Sequence, residues 1–497
     1  MMADTNNGKP GLTADINANI ELIKSTFKDD ETLITRFFEN QADSSIQCCT
    51  FYTDSMVDNK LFNEDVVKPI QEYKFKRYTR SDFIDIIDKQ IMLSDSVDKT
   101  SDMGKIIQAI VYGDTVLLAS GCSDALILNT KGWPTRSIEE PDGEKVLRGP
   151  REGFTEAILV NLTMLRRRLR TQDLKIKYRT FGARTQTKGC LCYLEGVVNK
   201  NVLAELERRL DLFSLDGVLD SNYLSEFISD APRSPIDTVG STERPDVVAA
   251  KLLEGRVAIF LDGTPVALTV PHLFIEHFQS CDDYYLNYFF ASIGRLLRIL
   301  GFFISISTPA IYVALTTFHQ EMLPTSLLMS IAIARQGVPL PTVMEAFIML
   351  IVFEILRETG ARMPSSIGQS LSIVGALVIG QSAVDAKLVS APMIIVVAIS
   401  GITGLLIIRL KGAIIIFRFM LLALSAITGL YGYIFGMMGL LIYLLSIDSF
   451  GIPIITEPSV SPQECKDIYI RAPWWFMINR PKFAADPKRN NSDGDPE

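Results

Sequence analysis

Histidine is nearly absent from this chain: three copies, His272, His277 and His319, occur among 497 residues. His272 and His277 are five apart, so on a helix they do not share a face as the i, i+4 histidines of a metalloprotease do. Glycine-rich phosphate loops of the P-loop kind, a G-x-G-x-x-G opening a helix and a G-x-S-x-G nucleophile elbow are missing too. No catalytic set is indicated, and the expectation is a protein that is not an enzyme, with no metal and no cofactor. The seven cysteines are scattered, and only Cys190 and Cys192 are close, as an isolated C-x-C. That gives neither a ligand-spaced metal set nor a disulfide framework, so reduced thiols facing the cytosol are expected. Basic residues are outnumbered, 49 Lys and Arg against 57 Asp and Glu, for a net charge of -8. A chain without a basic face is not built to bind nucleic acid. Met1–Lys28 is too polar for a secretory signal, so the N-terminal half is expected to stay in the cytosol.

Apolar residues are what the chain does have, and they are unevenly placed. They make up 48% of the whole; residues 1 to about 285 read as a charged soluble sequence, and about 290 to 447 as mostly apolar. The expected fold is a duplicated cytosolic α/β domain followed by a polytopic helical transmembrane domain with broken or re-entrant helices. Its expected parts are a disordered tail (1–12), an α/β subdomain (13–147), a linker helix (148–180), a second α/β subdomain (181–285), a membrane domain (286–450) and an interfacial C-terminal tail (451–497).

The duplication is read from internal matches. Cys49–Phe62 aligns with Cys190–Leu203 at an offset of 141, and Gly113–Gly121 aligns with Gly255–Gly263 at 142. Two copies of a small unit are expected, each with a late hairpin turning at Ser120-Gly121 or Asp262-Gly263. Between them, Thr155–Arg170 has helical apolar spacing and ends in Arg166, Arg167, Arg168 and Arg170. This end reads either as a basic surface for a neighbouring subunit or anionic lipid, or as a solvated helix terminus favoured by the helix dipole.

In the apolar half, Ile299–Phe318 is long enough to cross the roughly 30 Å hydrocarbon core, with Arg295 and Arg298 on the cytosolic side. Pro309 should kink it, with Ser305, Ser307 and Thr308 at hand for freed carbonyls. Pro324–Ala334 is too short to cross and reads as re-entrant, ahead of Arg335. Val338–Leu356 can span, with Glu345 inside and Glu354 near its end. Nine residues turn an ideal helix by about half a circle, so the two carboxylates face opposite sides. Ionisable residues at that depth default to function. Glu345, Arg335, Glu354 and Pro324 are the pore or gating candidates, Glu345 the strongest, its other reading being a salt bridge to Arg335 or another helix. Glu354 has a plainer reading, pairing with Arg357 or the neighbours of Glu358 at the cytosolic boundary. Gly368, Ser372, Ala376 and Gly380 form a small-residue packing ridge. Leu388–Ile408 reads as a clean span, and the glycines after Ala413 suggest a hairpin. Four to six crossings are expected, with both termini inside; Arg471, Trp474, Trp475 and Arg480 read as an interfacial anchor.

The longest ordered stretches are GPREGFTEAILVNLTMLRRRL (149–169), STERPDVVAAKLLEGRVAIFLDGTPVALTVP (241–271), LPTSLLMSIAIARQGVPLPTVMEAFIMLIVFEILRETGARMP (323–364) and IGQSLSIVGALVIGQSAV (367–384). In these, and from about Thr32 to Pro481, the chain resembles the A subunits of the GerA family of spore germination receptors. The resemblance implies a multi-pass protein of the spore inner membrane, with its N-terminal domain and C-terminal tail on the spore-core side. It implies a transporter-like B subunit that senses the nutrient, a C-subunit lipoprotein, and a homo-oligomeric ring acting as a nutrient-gated cation channel. The alternative is a non-conducting scaffold that relays nutrient binding to separate ion-release proteins.

Overall fold

The computed structural model describes residues 12–75, 83–87, 97–132, 140–141, 143–362, 378, 380–455, 467–477, 479–481 and 484–485. The chain divides into two compact units. One holds residues 1–229, 239–271 and 478–493; the other holds 230–238, 272–477 and 494–497.

The first unit contains two five-stranded antiparallel sheets. β1 (Leu33–Glu39), β2 (Gln47–Thr53), β3 (Val97–Thr100), β4 (Thr115–Ala119) and β5 (Ala125–Leu128) pair in the order β1-β2-β4-β5-β3. β6 (Leu174–Phe181), β7 (Thr187–Leu194), β8 (Gly240–Thr242), β9 (Val257–Leu261) and β10 (Ala267–Val270) pair as β6-β7-β9-β10-β8, the same order. Both faces of the first sheet are covered: Cys48 packs with Phe62, Leu117 and Leu126 on one side, and Cys49 with Ile106, Ile110 and Val116 on the other. Successive side chains of a strand point to opposite faces, so β2, buried from Cys48 to Thr53, needs two covers. The late hairpins β4–β5 and β9–β10 turn where Asp-Gly and Ser-Gly predict. Gly263 has φ +92° with open space beside it, so the backbone conformation alone calls for glycine there.

The helices follow the same spacing. α1 (Ile16–Thr26) and α3 (Ile158–Arg168) differ by 142 at both ends, and α2 (Met103–Tyr112) corresponds to α5 (Pro245–Leu253), after α4 (Lys200–Leu212). The entrance to α1 is closed by Asn19, which accepts from the Thr13 amide at 2.8 Å and donates to the Thr13 carbonyl at 2.7 Å. Asn161 closes the entrance to α3 on Thr155 in the same way, at 2.8 and 2.6 Å. The expected linker helix within 148–180 therefore occupies the place of α1, as the opening helix of the second group of elements. In the segment expected as a tail, Arg480 Nε donates to the Leu253 carbonyl at 2.8 Å and the Ala485 amide to that of Val197 at 3.0 Å, within the first unit.

The second unit is helical: α6 (Tyr288–Thr317), α7 (Thr325–Ala334), α8 (Thr342–Arg362), α9 (Ala391–Gly404), α10 (Lys411–Thr428) and α11 (Leu430–Leu445). Among the described residues, Tyr288–Thr317 and Ile408–Thr428 are long and apolar enough to cross a membrane. The expected clean span at Leu388–Ile408 is shorter than its apolar run: α9 has 14 residues, about 21 Å at 1.5 Å per residue. The run after Ala413 breaks at Gly429, φ +64°, and α11 folds back on α10. A Cβ at Gly432 would lie 2.1 Å from the Leu424 carbonyl oxygen, so the return passes too close for any side chain. α6 is the hub. Ile306 and Ala310 pack with Phe417, Leu421 and Leu440, and Val313 packs with Leu350, Met393 and Leu422. Outward-facing side chains are apolar as well; Ile427, Phe435, Ile402 and Ile395 are 60–72% exposed.

Candidate functional site: a buried charged cluster in the helical unit

Pro309 has no N–H, so the carbonyl four residues earlier, that of Ser305, loses its helical donor. Two groups from other helices take it. Ser400 Oγ of α9 donates to the Ser305 carbonyl at 2.6 Å, and Arg418 Nε of α10 donates to it at 3.1 Å. Ser305 Oγ answers by donating to the Ser400 carbonyl at 2.8 Å. Arg418 is fully buried. Its Nη2 donates to Ser305 Oγ at 2.7 Å and to the Ser400 carbonyl at 3.2 Å, and its Nη1 reaches Glu354 Oε1 of α8 at 3.0 Å. Glu354 is also ion-paired with Arg357. The proline-freed carbonyl, expected to be met within its own helix by Ser305, Ser307 or Thr308, is thus met across helices; Thr308 Oγ1 bonds Ile304 instead.

Electrostatically this is two guanidinium groups against one carboxylate. Arg357 Nε is buried without an acceptor among the described residues. A buried charge is costly unless paired and hydrogen-bonded, and removing one partner leaves the other stranded. The cluster therefore ties four helices, α6, α8, α9 and α10, through groups that must stay together. Glu354 is a member of it, held by Arg418 as well as by the expected Arg357. Arg418 was missed; its signal was a single cation inside the apolar run IIIFRFMLLAL.

Glu345 sits elsewhere on α8 and is fully buried. Its Oε1 accepts from the amide and the hydroxyl of Ser390, both at 2.5 Å. Ser390 caps α9, so Glu345 closes the N-terminus of that helix, where a negative charge is favoured. Within this chain Glu345 is enclosed between α8 and the start of α9. Its Oε2, Tyr312 Oη and Arg335 Nε are buried without hydrogen-bond partners among the described residues. Pro324 is the N-cap residue of α7, none of whose residues is buried. Of the packing ridge, Gly368, Ser372 and Ala376 lie outside the described residues, and a Cβ at Gly380 would meet nothing within 4 Å.

In the first unit the arginines at the end of α3 separate. Arg166 is not a surface group: it is 1% exposed, and its Nη2 donates to Asp30 Oδ2 and to Thr32 Oγ1, each at 2.6 Å. It joins the second group of elements to the loop before β1 and is enclosed within the chain. Arg167 and Arg168 pair with Glu152, and Arg170 lies 4.5 Å from the Tyr112 ring centre.

Two further expectations change in detail. His272 and His277 meet edge to face with ring centres 4.6 Å apart; His277 lies in a 3-10 turn, Phe274–Phe278, and His272 lies just before it. Burial, then the neighbouring His272 and Arg409, hold His277 well below the usual histidine range. His272 Nδ1 is 3.1 Å from Glu276 Oε2. Among the described residues no group of three or more His, Cys, Asp or Glu could hold a metal ion. Cys190 and Cys192 face the same core with sulfurs 3.8 Å apart, and burial raises the Cys192 thiol well above the usual range.

Sequence comparison adds the relatives. The family described as Bacillus/Clostridium GerA spore germination protein matches residues 21–483. Spore germination protein KA of Bacillus subtilis is 38% identical over 98% of this chain and 90% of its own. An uncharacterized membrane protein of Bacillus subtilis, YfkQ, is 46% identical over 78% of this chain and 76% of its own. The crystal structure of the N-terminal domain of the A subunit of the Bacillus megaterium spore germinant receptor GerK3 is 28% identical, with a TM-score of 0.42, covering 54% of this chain and 99% of that one.

Proposed function

This chain belongs to the GerA family of spore germination proteins, and from that membership we propose that it is the A subunit of a nutrient germinant receptor in the spore inner membrane. The observation that carries the reading is the match of the family along residues 21–483, together with relatives named as spore germination proteins over most of both chains. It works with a transporter-like B subunit and a C-subunit lipoprotein, and several copies form a ring. The first unit lies on the spore-core side; one unit duplicated within it accounts for two sheets of one strand order and for the repeated Asn–Thr closures. The helical unit crosses the membrane several times, which accounts for its apolar exterior.

Nutrient binding opens a path for cations through the helical units of the ring. Acidic rings favour cations, but Glu345 is buried as a helix cap and the Glu354 cluster carries an excess positive charge. Both therefore serve as latches that hold α8, α9 and α10 to α6 in the closed state, and the conducting surface is formed by other residues. The test is cation release from spores on nutrient addition. Spores carrying Glu345→Gln, with the protein present at its normal level, should show altered onset or extent of release. Unchanged release from correctly assembled receptors would remove Glu345 from gating. A second reading, a non-conducting scaffold, is favoured if the purified chain in planar bilayers passes no current with any latch variant.

A further inference from the structure

Where α6 begins, three arginines and two aspartates of the helical unit gather. Arg295 is fully buried; its Nε lies 3.3 Å from Asp283 Oδ2, and its Nη1 donates to the Asp467 carbonyl at 2.6 Å and to Asp467 Oδ1 at 3.1 Å. Arg298 Nη2 holds both oxygens of Asp283 at 2.6 Å. Arg471 is 4% exposed, lies 5.2 Å from the Trp474 ring centre, and has no ion pair among the described residues. The charges acting on it are those of Asp467, Asp283 and Arg295. Among the described residues, three guanidinium groups thus share two carboxylates, an excess of one positive charge. Two N–H groups of this cluster, Arg295 Nη2 and Arg471 Nε, are buried without acceptors among the described residues.

An orphaned guanidinium N–H is costly in a buried place, and the group that best satisfies it is a doubly accepting oxyanion. The surroundings say which kind. Tyr469, Ile470, Trp474, Trp475 and Phe476 beside the cluster are 44–56% exposed. Exposed aromatics next to buried arginines are the pattern of a membrane–water boundary, where phosphate and acyl chain meet in one molecule.

We propose that Arg295 and Arg471 form a binding site for the phosphate of an anionic phospholipid headgroup, with the Trp474 segment lying along the lipid. The site rests on the reading of the helical unit as membrane-embedded. The lipid's phosphate accepts from Arg471 Nε and Arg295 Nη2, and its negative charge balances the excess cation. Binding would fix the segment 467–477 against the start of α6.

The test reconstitutes the full chain into phosphatidylcholine vesicles with and without phosphatidylglycerol, extracts it in mild detergent, and measures retained lipid by mass spectrometry. The wild type should retain phosphatidylglycerol over phosphatidylcholine. Arg471→Gln should reduce that preference by roughly tenfold, the loss of one charge-assisted bond. Asp467→Asn, which removes a competing carboxylate, should raise it, a change that a merely structural role for the cluster would not produce. Melting in phosphatidylcholine vesicles separates misfolding from loss of the site. Unchanged preference in both variants overturns the proposal, as does quantitative release of the lipid by millimolar inorganic phosphate, which would make the ligand a free anion. A chain that floats with neither vesicle overturns the membrane reading itself.

Discussion

The hydroxyl of Ser400 sits 2.6 Å from the carbonyl that Pro309 leaves open at Ser305. A helix break in α6 is thereby converted into a bond to α9, and the same carbonyl recruits Arg418. Proline here does not loosen the bundle. It supplies an acceptor that holds the bundle together.

Ser400→Ala should therefore lower stability by about 0.5–1.5 kcal/mol, the net worth of one hydrogen bond, because Arg418 Nε still donates to that carbonyl. Pro309→Ala restores a donor within α6, so the double variant should lose less than the sum of the two single ones. Thermal melting of the purified chain in detergent measures the coupling.

Glu354→Gln strands two guanidinium groups and should cost about 3–5 kcal/mol, seen as loss of the protein from membranes. Replacing Arg418 as well, in Glu354→Gln with Arg418→Met, should recover much of the level, because the stranded cation is gone. Immunoblotting of membrane fractions reads both.

Gly404→Ala probes the same cluster without touching a charge. The new Cβ would fall 2.9 Å from Ser305 Oγ and 3.3 Å from Arg418 Nη2. Overpacking of this kind costs about 1–3 kcal/mol, and the loss should shrink in an Arg418→Met background.

In the first unit, Arg166→Ala leaves Asp30 buried without its cation and should cost about 3–5 kcal/mol. Arg170→Ala, at an exposed position over Tyr112, should cost under about 1 kcal/mol. Comparing the two by chemical denaturation separates an internal tie from a surface arginine on one helix end.

His277 titrates against folding. Its folded-state pKa is depressed, so below about 6.5 the unfolded chain binds a proton that the folded chain refuses. Stability should be full above that pH and fall as the medium becomes more acidic. His272, Glu276, Asp237 and Arg409 face the same ring and shape the curve. His277→Gln should flatten the melting temperature between pH 7 and 5.

What the residues announce and what they conceal divides along sequence distance. The Asp262-Gly263 turn, the break at Gly429 and the apolar stretch of α6 are local signals, legible in adjacent letters. The role of Arg166 is not, because its partner Asp30 is 136 residues away and a helix end rich in arginine looks the same whether solvated or not. Arg418 was hidden by its surroundings: averaged over a window, one cation disappears into apolar neighbours. The role of Glu345 is not legible locally, because its partner is a helix terminus, which carries charge without carrying a charged residue. The contact between the two histidines is not legible either, because His272 lies in the irregular segment before the turn that holds His277.

Arg480 and Ala485 belong to the first unit and bond to the Leu253 and Val197 carbonyls, after the chain has passed through α6 to α11. In chain order, most of the helical unit is inserted into the first one. During synthesis, the segment holding Arg480 and Ala485 therefore emerges only after α6 to α11, and a chain truncated within α11 lacks these bonds of the first unit.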